Sequence, residues 1–241
     1  MTITALGVMG TRSQGASTGT CVITCATAGA SVGDLVVVVV ARDNASTTDG
    51  VTNEISACVD NAGNLYRKLG EYCNGQGGAG AGATVALWMT TATYAIAITT
   101  GTITATIAGN PPAAAGAYKY STSPGYVAIP ATSIANLATD GAALGSLSIV
   151  GIPWGNYLFL RGSAIEIDTL TGAASAGWTA FANTSVSTGA MSAWGEHRIA
   201  TDNSATSAPT ISGAGPPDSA SVMIALREDW ISTALFRTSP I

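Results

Sequence analysis

The chain has 241 residues, a formal net charge of −5 and a sequence pI near 4.6. Its two lysines (Lys68, Lys119) and seven scattered arginines cannot build the basic stripe that neutralises phosphates, nor a polybasic patch for an anionic membrane surface, so neither nucleic acid nor membrane is expected as a partner. Charged residues are only 10% of the chain, against roughly 25% in an average soluble protein; Gly, Ala, Ser and Thr replace them, which favours a subunit packed among others over the alternative of a robust extracellular domain.

The opening stretch MTITALGVMGTRSQG lacks a basic residue ahead of its apolar part and a long apolar core, so no secretory signal is expected and synthesis in a cytoplasm is. Runs rich in Val, Ile, Thr and Tyr then alternate with Gly, Asn, Asp and Pro clusters, which is the texture of strands and turns. Strands are predicted at TCVITCA (20–26), DLVVVVVAR (34–42), ISACVD (55–60), LYRKLGEY (65–72) and ATVALWMTT (83–91). Others follow at TITATIA (102–108), AAGAYKYS (114–121), GSLSIVGIPW (145–154) and NYLFLRGSAIEI (156–167). The last three are GWTAFANTS (177–185), MSAWGEHRIA (191–200) and SASVMIALRE (219–228), and TATYAIAITTG offers another edge.

The turns carry their own chemistry. DNAGN (60–64) should close a hairpin, because Asn, Asp and Gly tolerate left-handed backbone. GNPP (109–112) and GAGPPD (213–218) should end strands, and GQGGAGAGA (75–83) reads as an exposed hairpin tip. Residues 125–145 are weakest in strand pattern, as a long crossover or a short helical insertion would be. No window shows capped helical periodicity. Roughly twelve short strands predict an all-β fold with little helix: a two-sheet antiparallel β-sandwich, jelly-roll-like, with one domain over 1–226 and a C-terminal arm over 227–241.

Two segments raise questions of contact. The valine run Val36–Val40 does not alternate, so one face should enter the core; a loop such as 125–145 or a neighbouring subunit should cover the other, which makes Val37 and Val39 candidate contacts. The arm carries Trp230, Ile231, Leu235 and Phe236, which either fold back on the sandwich or anchor in a neighbouring subunit.

Candidate chemistry is sparse. His197 is the single histidine; with Glu196 and Arg198 alternating around it and no G-x-S-x-G elbow, it reads as a surface or interface residue on an exposed edge rather than a catalytic base. Glu166 and Asp168 share a strand face about 7 Å apart, compatible with a glycosidase pair, a cation site or a solvated face. Trp88, Trp154, Trp178, Trp194 and Trp230 suit a sugar-stacking platform, although three of them sit in strand patterns where a core role is expected. Cys21 and Cys25, about 13 Å apart on a strand, cannot bridge each other; the four cysteines read as buried thiols, with Cys58–Cys73 the one pairing to test. No phosphate cradle, metal-ligand spacing or cofactor motif is present, and no cofactor is expected.

The segments GDLVVVVVARDN, VDNAGNLY, ALWMTTAT and TITATIAG, followed by SATSAPTISGAGPPDSASVMIALRE (204–228), resemble structural proteins of tailed bacteriophages. The matching residues are Gly33, Asp34, Leu35, Asp60, Gly63, Asn64, Tyr66, Trp88 and the alternation Thr102, Thr104, Thr106. The resemblance covers most of the chain and brings no catalytic residues. It implies a non-enzymatic virion component made in the bacterial cytoplasm. A capsid decoration (cement) protein bound to the major capsid protein or other virion subunits is favoured, as a dimer or trimer. A tail-fibre, minor tail or glycan-binding receptor module is the alternative.

Overall fold

The computed structural model describes residues 3–16, 18–75, 82–122, 126–140, 144–167, 169–186, 191–212 and 218–230. Among them there is no helix and there are seventeen strands. In chain order these are β1 (Thr4–Gln14), β2 (Thr20–Thr24), β3 (Leu35–Asp43), β4 (Ile55–Asp60), β5 (Arg67–Asn74), β6 (Ala83–Thr91), β7 (Thr102–Ile107) and β8 (Ala113–Ser121). They continue as β9 (Tyr126–Thr139), β10 (Leu147–Ile149), β11 (Gly155–Ile165), β12 (Thr171–Ala173), β13 (Thr179–Val186), β14 (Met191–Asp202), β15 (Ala205–Ser207), β16 (Thr210–Ser212) and β17 (Ser219–Trp230).

All pairings are antiparallel. Two five-stranded sheets, ordered β1-β8-β3-β6-β5 and β13-β14-β11-β17-β9, face each other as a β-sandwich. β1 lies on β13, β3 on β14 and β11, β6 on β11 and β17, and β5 on β17 and β9. The outer face of the first sheet carries a three-stranded sheet, β2-β7-β4; that of the second carries the pairs β10-β15 and β12-β16. Each five-stranded sheet is drawn from one half of the chain, unlike the interleaved strands of a jelly roll.

This stack explains the valine run. Leu35, Val37, Val39 and Ala41 point into the sandwich against Leu158, Leu160, Val222 and Ile224. Val36, Val38 and Val40 point the other way, onto Cys21, Ile23, Ile103 and Ala105 of the three-stranded sheet. All five valines are fully buried within the chain. The expected cover from a loop or a neighbouring subunit is therefore corrected: Val37 and Val39 meet the chain's own second sheet and are not subunit contacts. β6 and β8 sit beside β3 and share its two-faced burial, which is why they too lack a polar face.

Three further expectations change. Residues 126–139 form neither a loop nor a helix but the fourteen-residue edge strand β9. The stretch before residue 15 is an edge strand, β1, whose glycine content hid it; Gly10 is required there, because a Cβ would stand 2.0 Å from the carbonyl oxygen of Thr24. β17 runs to Trp230, which pairs with Tyr126, so residues 227–230 belong to the sheet rather than to an arm. Ile231, Leu235 and Phe236 lie outside the described residues, as does the Trp230 side chain. At DNAGN the turn forms, with Gly63 at φ +96 and the bridge Val59↔Leu65 beside it, yet β4 and β5 then enter different sheets.

Candidate functional site

His197 is not on an exposed edge. β14 lies between β13 and β11, and the imidazole enters the sandwich core beside Tyr118 and Tyr120 (ring centroids 5.2 Å for both) and Phe181 (5.7 Å). Burial lowers its pKa to about 4, so it is a neutral core ring at ordinary pH. The alternation with Glu196 misled because both faces of β14 are covered: Glu196 is fully buried on the opposite side.

Glu166 stands at the end of β11, and Asp168 lies outside the described residues. Burial, then the neighbouring Asp43 and Asp218 carboxylates, raises Glu166 to about 7. Among the described residues no group of His, Cys, Asp and Glu has the geometry to hold a metal. Trp88, Trp178 and Trp194 are buried, while Trp154 is 70% exposed, so the four do not form a platform. The four cysteines are free and buried; burial raises Cys21 to about 12 and Cys25 to about 11, which leaves unreactive thiols.

The buried polar groups are arranged as internal ties. Arg161 is fully buried and donates to Ser163 Oγ (3.2 Å), Ser207 O (3.2 Å), Ser207 Oγ (3.1 Å) and Ser221 Oγ (3.0 Å). Its cross-strand partner Glu196 accepts from Ser175 N (2.9 Å), Ser175 Oγ (2.7 Å) and Ser207 Oγ. Burial pulls the Arg161 guanidinium down to about 10, and the Glu196 charge offsets part of that. The pair fastens the Ser175 and Ser207 segments onto the second sheet. Sequence reasoning passed over it, although an arginine inside NYLFLRGSAIEI was the available signal: a charge in an apolar strand needs a buried counter-charge.

A second tie is the DNAGN turn. Asp60 Oδ1 accepts from Ala62 N and Asn64 N (3.0 Å each), and Oδ2 accepts from Asn64 Nδ2 (2.9 Å) and Tyr66 OH (3.2 Å). Asn64 Oδ1 in turn accepts from Thr93 N and Tyr94 N. The residues Asp60, Asn64 and Tyr66 that carried the sequence resemblance thus hold two loops together. Around this knot Leu65 (79%), Tyr94 (58%) and Val59 (40%) are exposed.

An open groove of about 320 Å³ is lined by Thr52, Asn53, Lys68, Leu69, Gly70, Glu71 and Asn136, beside the edge strand β5. Lys68 Nζ donates to Glu71 Oε2 and to Asn53 Oδ1 (3.4 Å), and stands 5.1 Å from the Trp88 ring centroid. Residues three apart on a strand ordinarily face opposite ways; the bulge between Lys68 and Gly70 turns Lys68 and Glu71 to one side. That juxtaposition has no signature in the sequence.

Fold and sites together define an all-β antiparallel sandwich whose buried charges serve as ties. No protein-family model, curated protein or solved structure matches the chain.

Proposed function

We propose that the protein is a non-enzymatic structural component of a tailed-bacteriophage virion, acting as a capsid decoration or cement protein through subunit–subunit contacts. The observation that carries this reading is the division of labour among its side chains. The buried Arg161, Glu196, Asp60 and Asn64 are spent on internal ties, whereas the large apolar side chains Leu65, Trp154, Val150 and Val32 stand exposed. An internally tied fold with few charged residues and projecting apolar side chains fits a subunit that is covered by neighbours. Contacts with the major capsid protein or other virion subunits, a dimeric or trimeric state, and a virion location after synthesis in the bacterial cytoplasm follow from the reading. The test is binding of the purified protein to capsids assembled without it, with oligomeric state measured alongside. Stable capsid binding that is lost in Leu65→Ser/Tyr94→Ser supports the proposal; a monomer that ignores capsids refutes it.

The exposed Trp154 favours a second reading, a glycan-binding fibre or receptor module. It predicts saccharide-dependent quenching of tryptophan fluorescence that disappears in Trp154→Ala.

A further inference from the structure

We propose that Lys68 and Asn53 become joined by an intramolecular isopeptide bond, formed by the protein itself with Glu71 as the proton-transfer group. The three functional groups that such a bond requires meet at one point: an amine, a carboxamide and a carboxylate. Lys68 comes from the edge strand β5 and Asn53 from the loop ahead of β4, so the bond closes a link between segments fifteen residues apart. Asn53 sits at φ +83, a left-handed backbone that only Gly and the short polar Asn and Asp adopt readily, and in this conformation its amide reaches Lys68. The Glu71 side chain is fully buried and its Oε1 is held by the backbone N–H of Ile55 at 3.0 Å, which leaves Oε2 to Lys68. The Lys68 side chain is about four-fifths covered and lies over the Trp88 indole, so the amine is confined against its partners.

The step balances without any outside reagent. Glu71 takes a proton from the Lys68 ammonium, and the freed Nζ attacks Cγ of Asn53. A bond forms between Nζ and Cγ, Nζ gives up a second proton, and the Cγ–Nδ2 bond breaks, with both protons passing by way of Glu71 to the leaving Nδ2. An ammonium and a primary amide become a secondary amide and an ammonium ion, which is ammonia plus the proton Lys68 carried; nothing is oxidised or reduced. Ammonia leaves through the open groove. The rate comes from holding nucleophile and electrophile side by side and from general acid–base transfer at Glu71. Asn53 and Lys68 are the reacting residues and Glu71 the catalytic one, and the reaction occurs once per chain.

Intact-mass measurement and tryptic mapping of the full-length folded protein test this directly. The expected mass is the sequence mass less one ammonia. Trypsin should fail to cut after Lys68, giving peptide 43–67 joined to peptide 68–119. Asn53→Gly keeps the left-handed backbone but removes the electrophile, and Lys68→Arg keeps the charge but removes the amine. Both should show the full sequence mass with separate peptides while keeping the native circular dichroism. Glu71→Gln should slow ammonia loss by roughly 100-fold or more; should it not fold, the other two variants decide. A wild-type protein that retains its full mass after prolonged incubation, with Lys68 cleaved normally, overturns the proposal. So does ammonia loss that persists in Asn53→Gly.

Discussion

Replacing Arg161 with methionine keeps most of the side-chain volume and removes the guanidinium from the middle of β11. Four donor contacts vanish, to Ser163, Ser207 (two) and Ser221, and the fully buried Glu196 loses its cross-strand cation. Breaking a buried pair from one side costs about 3–5 kcal/mol, because the remaining charge is stranded in a poorly solvating interior. A typical domain is stable by only about 5–15 kcal/mol, so the loss should be plain. Removing both charges, as Arg161→Met/Glu196→Gln, should cost less than the sum of the single changes by about 1–3 kcal/mol. Urea unfolding followed by tryptophan fluorescence measures this: the midpoint should fall sharply for Arg161→Met, with an unchanged m-value, and the double variant should fall by less than the two single shifts combined. A single-variant loss below about 1 kcal/mol, or strictly additive losses, would refute the account of Arg161 and Glu196 as a coupled buried tie.

Other outcomes follow from the same geometry. Val38→Ala and Val39→Ala should each lower stability by about 2 kcal/mol in denaturant titrations, because neighbouring residues on β3 face two different cores; a near-neutral result for either would mean that one face is open. His197 is held neutral, its pKa lowered to about 4 from 6.5, so the unfolded chain binds the proton more readily. The stability it confers is complete above pH 6.5, falls as pH drops, and is lost near pH 4, by on the order of 3 kcal/mol; His197→Phe should flatten that part of the pH–stability curve. Glu166 acts in the opposite sense: raised to about 7 from 4.5, it favours the fold at low pH and the benefit disappears as pH rises through that interval, so Glu166→Gln should selectively stabilise the protein near pH 8. Asp60→Ala removes the acceptor of four hydrogen bonds and should lower the melting temperature while speeding amide exchange at Thr93 and Tyr94.

Strand chemistry that is local was legible in the sequence. β3, β6, β8, β11 and β17 are long apolar runs between turn residues, and the antiparallel sandwich followed from them. What covered them was not legible. The question posed by Val36 to Val40 needed knowledge that residues 20–24, 55–60 and 102–107 come together as a separate sheet, a matter of pairing at long range rather than of pattern. β1 was missed because glycines lower strand propensity where close packing on Thr24 demands them, and β9 because Pro130 and small residues weaken its signal. His197 looked exposed because alternation with charged neighbours ordinarily marks a wet face; a strand buried on both sides, with Glu196 bonded to Ser175 and Ser207 on one of them, breaks that rule. The cluster of Asn53, Lys68 and Glu71 depends on a bulge and a left-handed residue, neither of which the amino-acid pattern announces.

The division of the two large sheets between the two halves of the chain makes the central core an interface between halves. Residues up to 121 supply one wall and residues from 126 the other, with Leu35, Val37, Val39 and Leu87 meeting Leu158, Leu160, Val222 and Ile224. In effect the monomer is an obligate pairing of two sheets tethered by a single crossing of the chain. Cutting that tether between Ser121 and Tyr126 should leave fragments that reassociate, each useless alone because it bares a wall of aliphatic side chains. The tether's service is therefore to raise the concentration of one half about the other, and the order in which a ribosome releases them means that the first wall must wait, sticky and uncovered, for the second.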